Sequence, residues 1–136
     1  MKKIPVHKLK GVTPELKTKM HKHRIHHHEH LFNKAMTQAK REELAPKLGI
    51  HHTHLLELAN RADLARIKGV AGVYSDLLEE AGVDTVKELA VRKADNLHET
   101  LLKVNAEKNL TKAPPTLKMV EGWISAAKRR RKFLQY

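Results

Sequence analysis

The chain has 136 residues, 40% hydrophobic and 4% aromatic, so we expect one small domain, or two very small ones, with a core of Leu, Val, Ile and Ala. It contains no cysteine and no apolar run of roughly 18 residues, which excludes disulfides, thiolate metal sites and a transmembrane helix. Lys and Arg outnumber Asp and Glu by 27 to 15, a formal net charge of +12, which indicates a polyanionic partner, with nucleic acid ahead of an acidic membrane surface.

The first residues give an expectation about location. MKKIPVHKLKG has the positive start of a signal peptide, but Lys8 and Lys10 interrupt it where an apolar centre would have to follow. We therefore expect a cytoplasmic protein that is not inserted in a membrane, and the absence of cysteine fits that compartment.

Helical patterns fill the first half of the chain. Gly11 marks a turn, and Thr13 followed by Pro14 is a good N-cap and first residue for the helix behind it. A second pattern covers residues 41–48 and ends at a glycine, and a third, over residues 53–61, begins at a capping residue. This half is therefore predicted to be a turn followed by three helical segments.

A second turn follows in RIKGVAGVYSDLLEEAGVDTVKEL. The helical pattern continues over residues 62–67 and is broken by two glycines, Gly69 and Gly72, which permit close backbone approach. Apolar residues then recur at helical spacing until Gly82, a typical position for the glycine that ends a helix. Residues 85–88, TVKE, form a capping box that opens the next helix.

The C-terminal third is predicted to be a loop and one further helix. EKNLTKAPPT contains adjacent prolines and is typical of a loop, after which Thr116 caps a helix with Trp123 on its apolar face, as a core residue. Tyr74 in the second hairpin is expected to pack between helices, with stacking on a base as the alternative. No stretch alternates with period two, so no strand is expected.

A shift of 58 residues places one half of the sequence over the other. Leu9-Lys10-Gly11-Val12-Thr13 then lies over Ile67-Lys68-Gly69-Val70-Ala71, and apolar residues coincide at Met20 and Leu78. This similarity predicts an internal duplication. We expect an all-α fold with a first repeat over residues 1–62, a second over 63–127 and a basic tail over 128–136.

These residues resemble the helix-hairpin-helix motif of many DNA-binding proteins. The succession LANRADLARIKGV, YSDLLEEAGVDTVKELA, NLHETLLKVN and PPTLKMVEGWISAAK is similar to a bacterial family of tandem helix-hairpin-helix proteins catalogued as a domain of unknown function. The resemblance implies two tandem hairpin units with connecting helices, a SAM-like arrangement, and no established catalytic activity. In the first hairpin Pro14 departs from the pattern, because it stands where Gly72 stands in the second.

The chemistry of such a hairpin is that of its backbone. Free N–H groups at the start of the second helix, together with the positive end of its dipole, can bind one phosphate and read little sequence. The alternative is that Gly69 and Gly72 only permit a tight turn. In the second hairpin we predict contacts by Lys68 and these two glycines.

Charge distinguishes the two hairpins. Residues 1–31 carry eight Lys and Arg against two Glu, whereas residues 64–89 carry three against five Asp and Glu. An acidic helix would repel phosphates unless its carboxylates face away, so we assign the principal contact to the first hairpin. The predicted contact residues there are Lys8, Lys10, Gly11, Val12, Thr13, Lys17, Lys19, Lys22, Arg24, His26, His27 and His28.

The tail supplies a third basic element. Five cations in succession exceed what a helix C-terminus needs to complement its dipole. We predict that they contact phosphate, with an unpaired solvated end as the alternative; they are Lys128, Arg129, Arg130, Arg131 and Lys132.

Eleven histidines are an unusual number for this length. His26 and His27 replace Asp84 and Thr85 of the second copy, so the capping box is missing from the first. The spacing of His26 and His30 allows a metal site, but neither a cysteine nor two histidines with a carboxylate support it, and we predict no metal and no cofactor. The alternatives are histidines that bind phosphate, titrate, or do neither.

No catalytic residues are predicted, because no nucleophile, acid-base pair or nucleotide-binding loop has the required spacing. The expected function is sequence-tolerant binding of double-stranded or branched DNA, in the nucleoid or as an accessory to repair or recombination. The alternative is a protein-interaction adaptor whose partner docks on the acidic second hairpin. The form of nucleic acid and the oligomeric state do not follow from the sequence.

Overall fold

The computed structural model describes residues 3–135, which contain eight α-helices, one short 3₁₀ helix and no β-strand. The 3₁₀ helix is Val6–Lys8. The α-helices are α1 Pro14–Lys22, α2 His28–Lys34, α3 Gln38–Leu48, α4 His52–Leu64, α5 Val73–Glu80, α6 Val86–Ala90, α7 Ala94–Lys108 and α8 Leu117–Lys128. The all-helical class expected from the sequence is confirmed.

Three helix starts form where their capping residues predict them. Thr13, Thr85 and Thr116 each accept a backbone N–H three residues ahead through the side-chain oxygen, at 3.1, 3.2 and 3.1 Å. The capping box before α6 is closed by Glu88, whose carboxylate accepts the N–H of Asp84 at 3.3 Å. The equivalent position before α2 is His27, which makes no side-chain cap, as its sequence predicted.

Helix α4 differs from its predicted bounds at both ends. It begins at His52 with His51 as the cap, because the His51 Nδ1 accepts the N–H of Thr53 at 3.2 Å. The pattern predicted to continue through residues 62–67 ends at Leu64. Beyond it the backbone bonds span three residues, from Arg66 N to Asp63 O and from Ile67 N to Leu64 O, so the chain turns toward Gly69.

Backbone conformation coincides at positions 58 residues apart. Gly11 and Gly69 both have positive φ, +95° and +85°. Arg24 and Gly82 do too, at +62° and +88°, and in both cases the following residue donates its N–H back to the carbonyl five residues earlier. The assignment of tandem helix-hairpin-helix units stays a prediction.

The apolar side chains form two clusters. The first joins the 3₁₀ helix and α1–α4, and the second joins the end of α4 to α5–α8. Trp123 lies in the second cluster with 5% of its surface exposed, as predicted, and the ring of Tyr74 packs against it at 5.4 Å. Tyr74 therefore packs against a neighbouring helix, which is the first of the two roles considered for it.

The C-terminal segment, residues 129–135, crosses from the second cluster to the first. Leu134 is buried in the first cluster, with 5% of its surface exposed. Its neighbour Gln135 donates its N–H to the carbonyl of Met36 at 2.8 Å and accepts a hydrogen bond from Arg41. We call this segment the C-terminal strap.

Candidate nucleic-acid interface

The predicted contact residues of the first hairpin lie before α1, on α1 and between α1 and α2. Exposed members are Lys8, Lys10, Gly11, Thr13, Lys22, Arg24 and His26, and half-buried members are Val12, Lys17, Lys19 and His27. Lys19 lies 3.6 Å from Glu15 and against Gly49, so part of its charge is used within the fold. Lys8 and Lys10 project from the turn itself.

His28 is a correction to the predicted contact set. Its side chain is fully buried, with 0% exposed, so it cannot meet a ligand at the surface. Nδ1 accepts the backbone N–H of Ile4 at 3.0 Å, which places the ring between the N-terminal segment and α2. The apolar neighbours of α2 explain the burial: Leu31 and Phe32 lie in the same cluster.

The two glycine-bearing turns, at Gly11 and at Gly69 to Gly72, offer different numbers of backbone donors. In the first, Pro14 has no N–H, and Thr13 Oγ1 already accepts the N–H of Leu16. In the second, the N-cap is Gly72, which has no side chain to occupy the N–H groups of the first turn of α5. The donors available for a phosphate are thus concentrated at the second turn, and the cations at the first.

The acidic helix α5 directs part of its charge inward. Asp76 and Glu79 both pair with Arg61, a side chain of α4 that is only 6% exposed as a residue. Glu80 lies 3.8 Å from Lys108. Burial, together with the nearby Glu88 and Glu79 carboxylates, raises the pKa of Asp84. The repulsion expected from this helix is therefore reduced on the side facing α4.

The first turn borders a large groove, and both turns border a smaller cavity next to it. A groove of about 450 Å³ is lined by Lys10 and Gly11 of the first hairpin and by Glu79 and Asp84 of the second, with α4 as its floor. A smaller cavity beside it, about 110 Å³, lies between Lys8 and Gly72. We call the groove and the cavity together the interhairpin groove; Lys10 and Gly11 line its large part, and Lys8, Lys10 and Gly72 line its small part.

The five cations of the tail do not form a free arm. Arg130 is half-buried and donates to the carbonyl of Arg66 at 2.6 Å, while the backbone carbonyl of Lys132 accepts from Arg66 at 2.8 Å. Lys128 lines a separate groove with Arg92 and Lys93. The side chains of Lys128, Arg129, Arg131 and Lys132 are exposed, but Lys128 ends α8 and the backbone of the other three belongs to the strap.

The histidines of the first hairpin cluster through their rings. His27 and His30 stack with ring centroids 3.7 Å apart, and His21 lies 4.6 Å from His26. His26 precedes α2, and its backbone N–H is accepted by His30 Nδ1 at 3.2 Å, so these two do not form the helical pair that their spacing suggested. Within residues 3–135 no three His, Asp or Glu side chains are placed to hold a metal ion.

Desolvation, together with positive neighbours, lowers the pKa of two of these rings. Desolvation, followed by the charges of His26 and Lys17, lowers the pKa of His21. Burial and then His30 lower the pKa of His27. His21 and His27 are therefore harder to protonate than isolated histidines.

A buried ion pair joins the two halves and was not predicted. Asp63 is fully buried; one of its oxygens accepts from Arg66 Nε at 3.0 Å and the other from the N–H of Val86 at 2.8 Å. Burial raises the pKa of Asp63, against the opposing effects of these partners. The guanidinium of Arg66 also covers the ring of Phe32 at 3.9 Å. The sequence signal was Arg and Asp within the apolar run RADLARI.

The helices in residues 3–135 are all too short or too polar to cross a membrane. A family model, described as a domain of unknown function (DUF4332), matches residues 10–130. No curated protein and no solved structure matches the chain.

Proposed function

The chain belongs to the DUF4332 family, a domain of unknown function, and we propose that it is a non-enzymatic, sequence-tolerant DNA-binding protein made of two tandem helix-hairpin-helix units. The observation that carries the proposal is the interhairpin groove, where two glycine-bearing turns lie beside each other in a chain with a net charge of +12. Double-stranded or branched DNA is the proposed ligand, and the nucleoid the proposed location.

The two turns would make different contacts with the sugar-phosphate backbone. The N–H groups behind Gly72, at the positive end of α5, suit one phosphate. Lys8 and Lys10 on the opposite turn suit a neighbouring phosphate through charge, because their side chains are long and exposed. Contacts of this kind orient a protein on DNA without reading bases, so binding would tolerate sequence.

The histidine cluster and the strap cations are proposed as secondary contacts. His26 is exposed and His27 half-buried beside the first hairpin, and Arg129, Arg131 and Lys132 are exposed on the strap. Neither set lines the interhairpin groove. They would add attraction for DNA around the groove rather than form the main binding site.

A second candidate function rests on the other charges of the groove. Glu57, Glu79 and Asp84 line it together with Lys10 and Arg61. Carboxylates at this position favour a basic segment of a partner protein over a phosphate chain. In this adaptor function the positive surface would act only in solubility.

A mobility-shift assay with charge reversals separates the two functions. The full chain is titrated into random-sequence duplex, branched DNA, single strands and RNA of equal length. Lys8→Glu with Lys10→Glu is expected to weaken duplex binding at least tenfold, because two phosphate contacts become repulsive. The matched control, Lys112→Glu with Lys118→Glu, changes the charge equally at exposed positions outside the groove.

Equal losses in the two double variants would mean that net charge alone drives binding, which contradicts a site at the groove. No shift of any nucleic acid would favour the adaptor function.

A further inference from the structure

Three hydrogen bonds attach the N-terminal segment to the start of α2, two between backbone groups and one from a backbone N–H to a side chain. Ile4 donates its N–H to His28 Nδ1 at 3.0 Å, and its carbonyl accepts the N–H of His28 at 2.8 Å. Val6 donates to the carbonyl of His26 at 3.0 Å. Only the first of these bonds uses a titratable group.

That bond requires a neutral imidazole. An acceptor at Nδ1 needs its lone pair, so the proton of the neutral ring is on Nε2. Nε2 is buried and has no hydrogen-bond partner within residues 3–135. A proton added at Nδ1 would place two donors, the ring N–H and the N–H of Ile4, against each other, and the bond would be lost.

The surroundings of His28 oppose its charged form. Burial is the main effect that lowers the pKa of this ring. Of the charged groups that face it, Glu29 on α2 favours the cation, whereas His27 before α2 and Arg66 after α4 disfavour it. The fold therefore contains a buried, neutral histidine with an unsatisfied N–H at the anchor point of a terminal segment.

We infer that His28 is a pH-sensitive latch, which holds residues 4–9 on α2 when neutral and releases them when protonated. The segment includes the 3₁₀ helix Val6–Lys8 and two side chains of the first cluster, Val6 and Leu9. Release would therefore also move Lys8 and the entry to the first hairpin. The latch is a property of the fold and does not depend on nucleic-acid binding.

The sign of the pH dependence follows from linkage. The released ring titrates near its ordinary pKa of about 6.5, and the held ring titrates lower, so release takes up a proton. Above pH 6.5 the ring is neutral in both states, so the held state keeps its full stability relative to the released state. Below it, the released fraction rises by up to about tenfold for each pH unit until the pKa of the held ring is reached.

Amide hydrogen exchange of the full chain, measured residue by residue by NMR from pH 7.5 to pH 5, tests the latch. Rates are corrected for the intrinsic pH dependence of exchange. Protection at Ile4 and Val6 is expected to fall below pH 6.5, while Leu101 in the second cluster keeps its protection. A parallel loss at Leu101 would indicate general unfolding and would overturn the inference.

A variant without a titratable group provides the second comparison. In His28→Asn the side-chain oxygen can occupy the place of Nδ1 and accept from Ile4, so the exchange profile is expected to be flat with pH. The matched control is His26→Asn, an exposed neighbour, which is expected to retain the wild-type profile. A pH-dependent loss at Ile4 that persists in His28→Asn would contradict the latch.

If His28→Asn does not fold, the inference is tested instead by the pH titration of the ring resonances of wild-type His28. Their titration midpoint must coincide with the loss of Ile4 protection. Titration of His28 with unchanged protection at Ile4 would overturn the inference.

Discussion

Arg24 holds a left-handed backbone conformation at the end of α1, with φ of +62°. Its counterpart 58 residues later is Gly82, at +88°. This conformation costs a residue with a Cβ roughly 1 kcal/mol, whereas glycine adopts it freely. Arg24 therefore carries its exposed charge, beside the histidine cluster, at a conformational cost that its counterpart avoids.

Two glycines allow this backbone effect to be measured. Nothing lies within 4 Å of a Cβ built at Gly82 or at Gly122, so packing is not altered at either site. Gly82→Ala should lower the free energy of unfolding by about 1 kcal/mol, because its φ is positive. Gly122→Ala, inside α8, should raise it by roughly 0.5–1 kcal/mol. Urea unfolding checks both; destabilisation by both variants would contradict the backbone explanation.

The histidine cluster of the first hairpin predicts that duplex affinity depends on pH. A nearby phosphate favours the imidazolium, so the pKa of a bound ring lies above that of a free one and binding takes up protons. Duplex affinity should therefore rise as the pH falls from about 8 to about 6, most steeply near the lower end, because the pKa values of His21 and His27 are lowered in the free protein.

Anisotropy titrations at each pH, with and without a chelator, measure the effect. Replacement of His21, His26, His27 and His30 by Gln should flatten the profile. Weaker binding in acid that a chelator reproduces at neutral pH would instead indicate a ligated metal, because acid expels a metal from imidazole.

At the scale of elements, local chemistry could be predicted from the sequence and long-range burial could not. Thr13, Thr85 and Thr116 cap helices through contacts three residues away, and such contacts depend on neighbours in the chain. His28 was assigned to the surface because its neighbours are histidines, yet its environment is set by Ile4, 24 residues earlier. The charged residues within RADLARI could have indicated a buried ion pair, but nothing near them in the chain indicates the bond from Val86 to Asp63, which spans 23 residues.

The path of the strap across the two apolar clusters was not predicted from the sequence, whereas phosphate contact by its cations stays a prediction. Residues 128–132 were interpreted by their charge. The structure of the strap depends instead on the burial of Leu134 and on two backbone carbonyls: that of Gln135, which accepts from Arg41, and that of Lys132, which accepts from Arg66. A charge run predicts a solvated segment only when no apolar residue follows it. Here Phe133 and Leu134 follow, and each packs against one of the two clusters.

Detachment of the strap without loss of charge tests its role. Leu134→Ala removes a buried side chain and should lower the free energy of unfolding by about 2 kcal/mol or more. Leu110→Ala, at a position 37% exposed, should change it by less than about 0.5 kcal/mol. Similar effects of the two in thermal or urea unfolding would show that the strap is not anchored by Leu134.

At the scale of the whole molecule, two apolar clusters are joined by α4, by the Asp63 and Arg66 pair and by the strap. This junction fixes one hairpin turn beside the other, so the cations of the first and the backbone donors of the second face one groove. The proposed DNA-binding site is therefore the pair of turns rather than either turn alone.

The salt dependence of duplex affinity tests this central claim most directly. Each phosphate contact releases counterions and contributes about 0.9 to the slope of log affinity against log salt concentration. Wild-type protein should show a steep slope on random-sequence duplex. Lys8→Gln with Lys10→Gln should reduce the slope by about 2, and Lys112→Gln with Lys118→Gln should leave it unchanged. A shallow wild-type slope combined with preference for one sequence, or equal reductions in the two double variants, would contradict backbone recognition at the interhairpin groove.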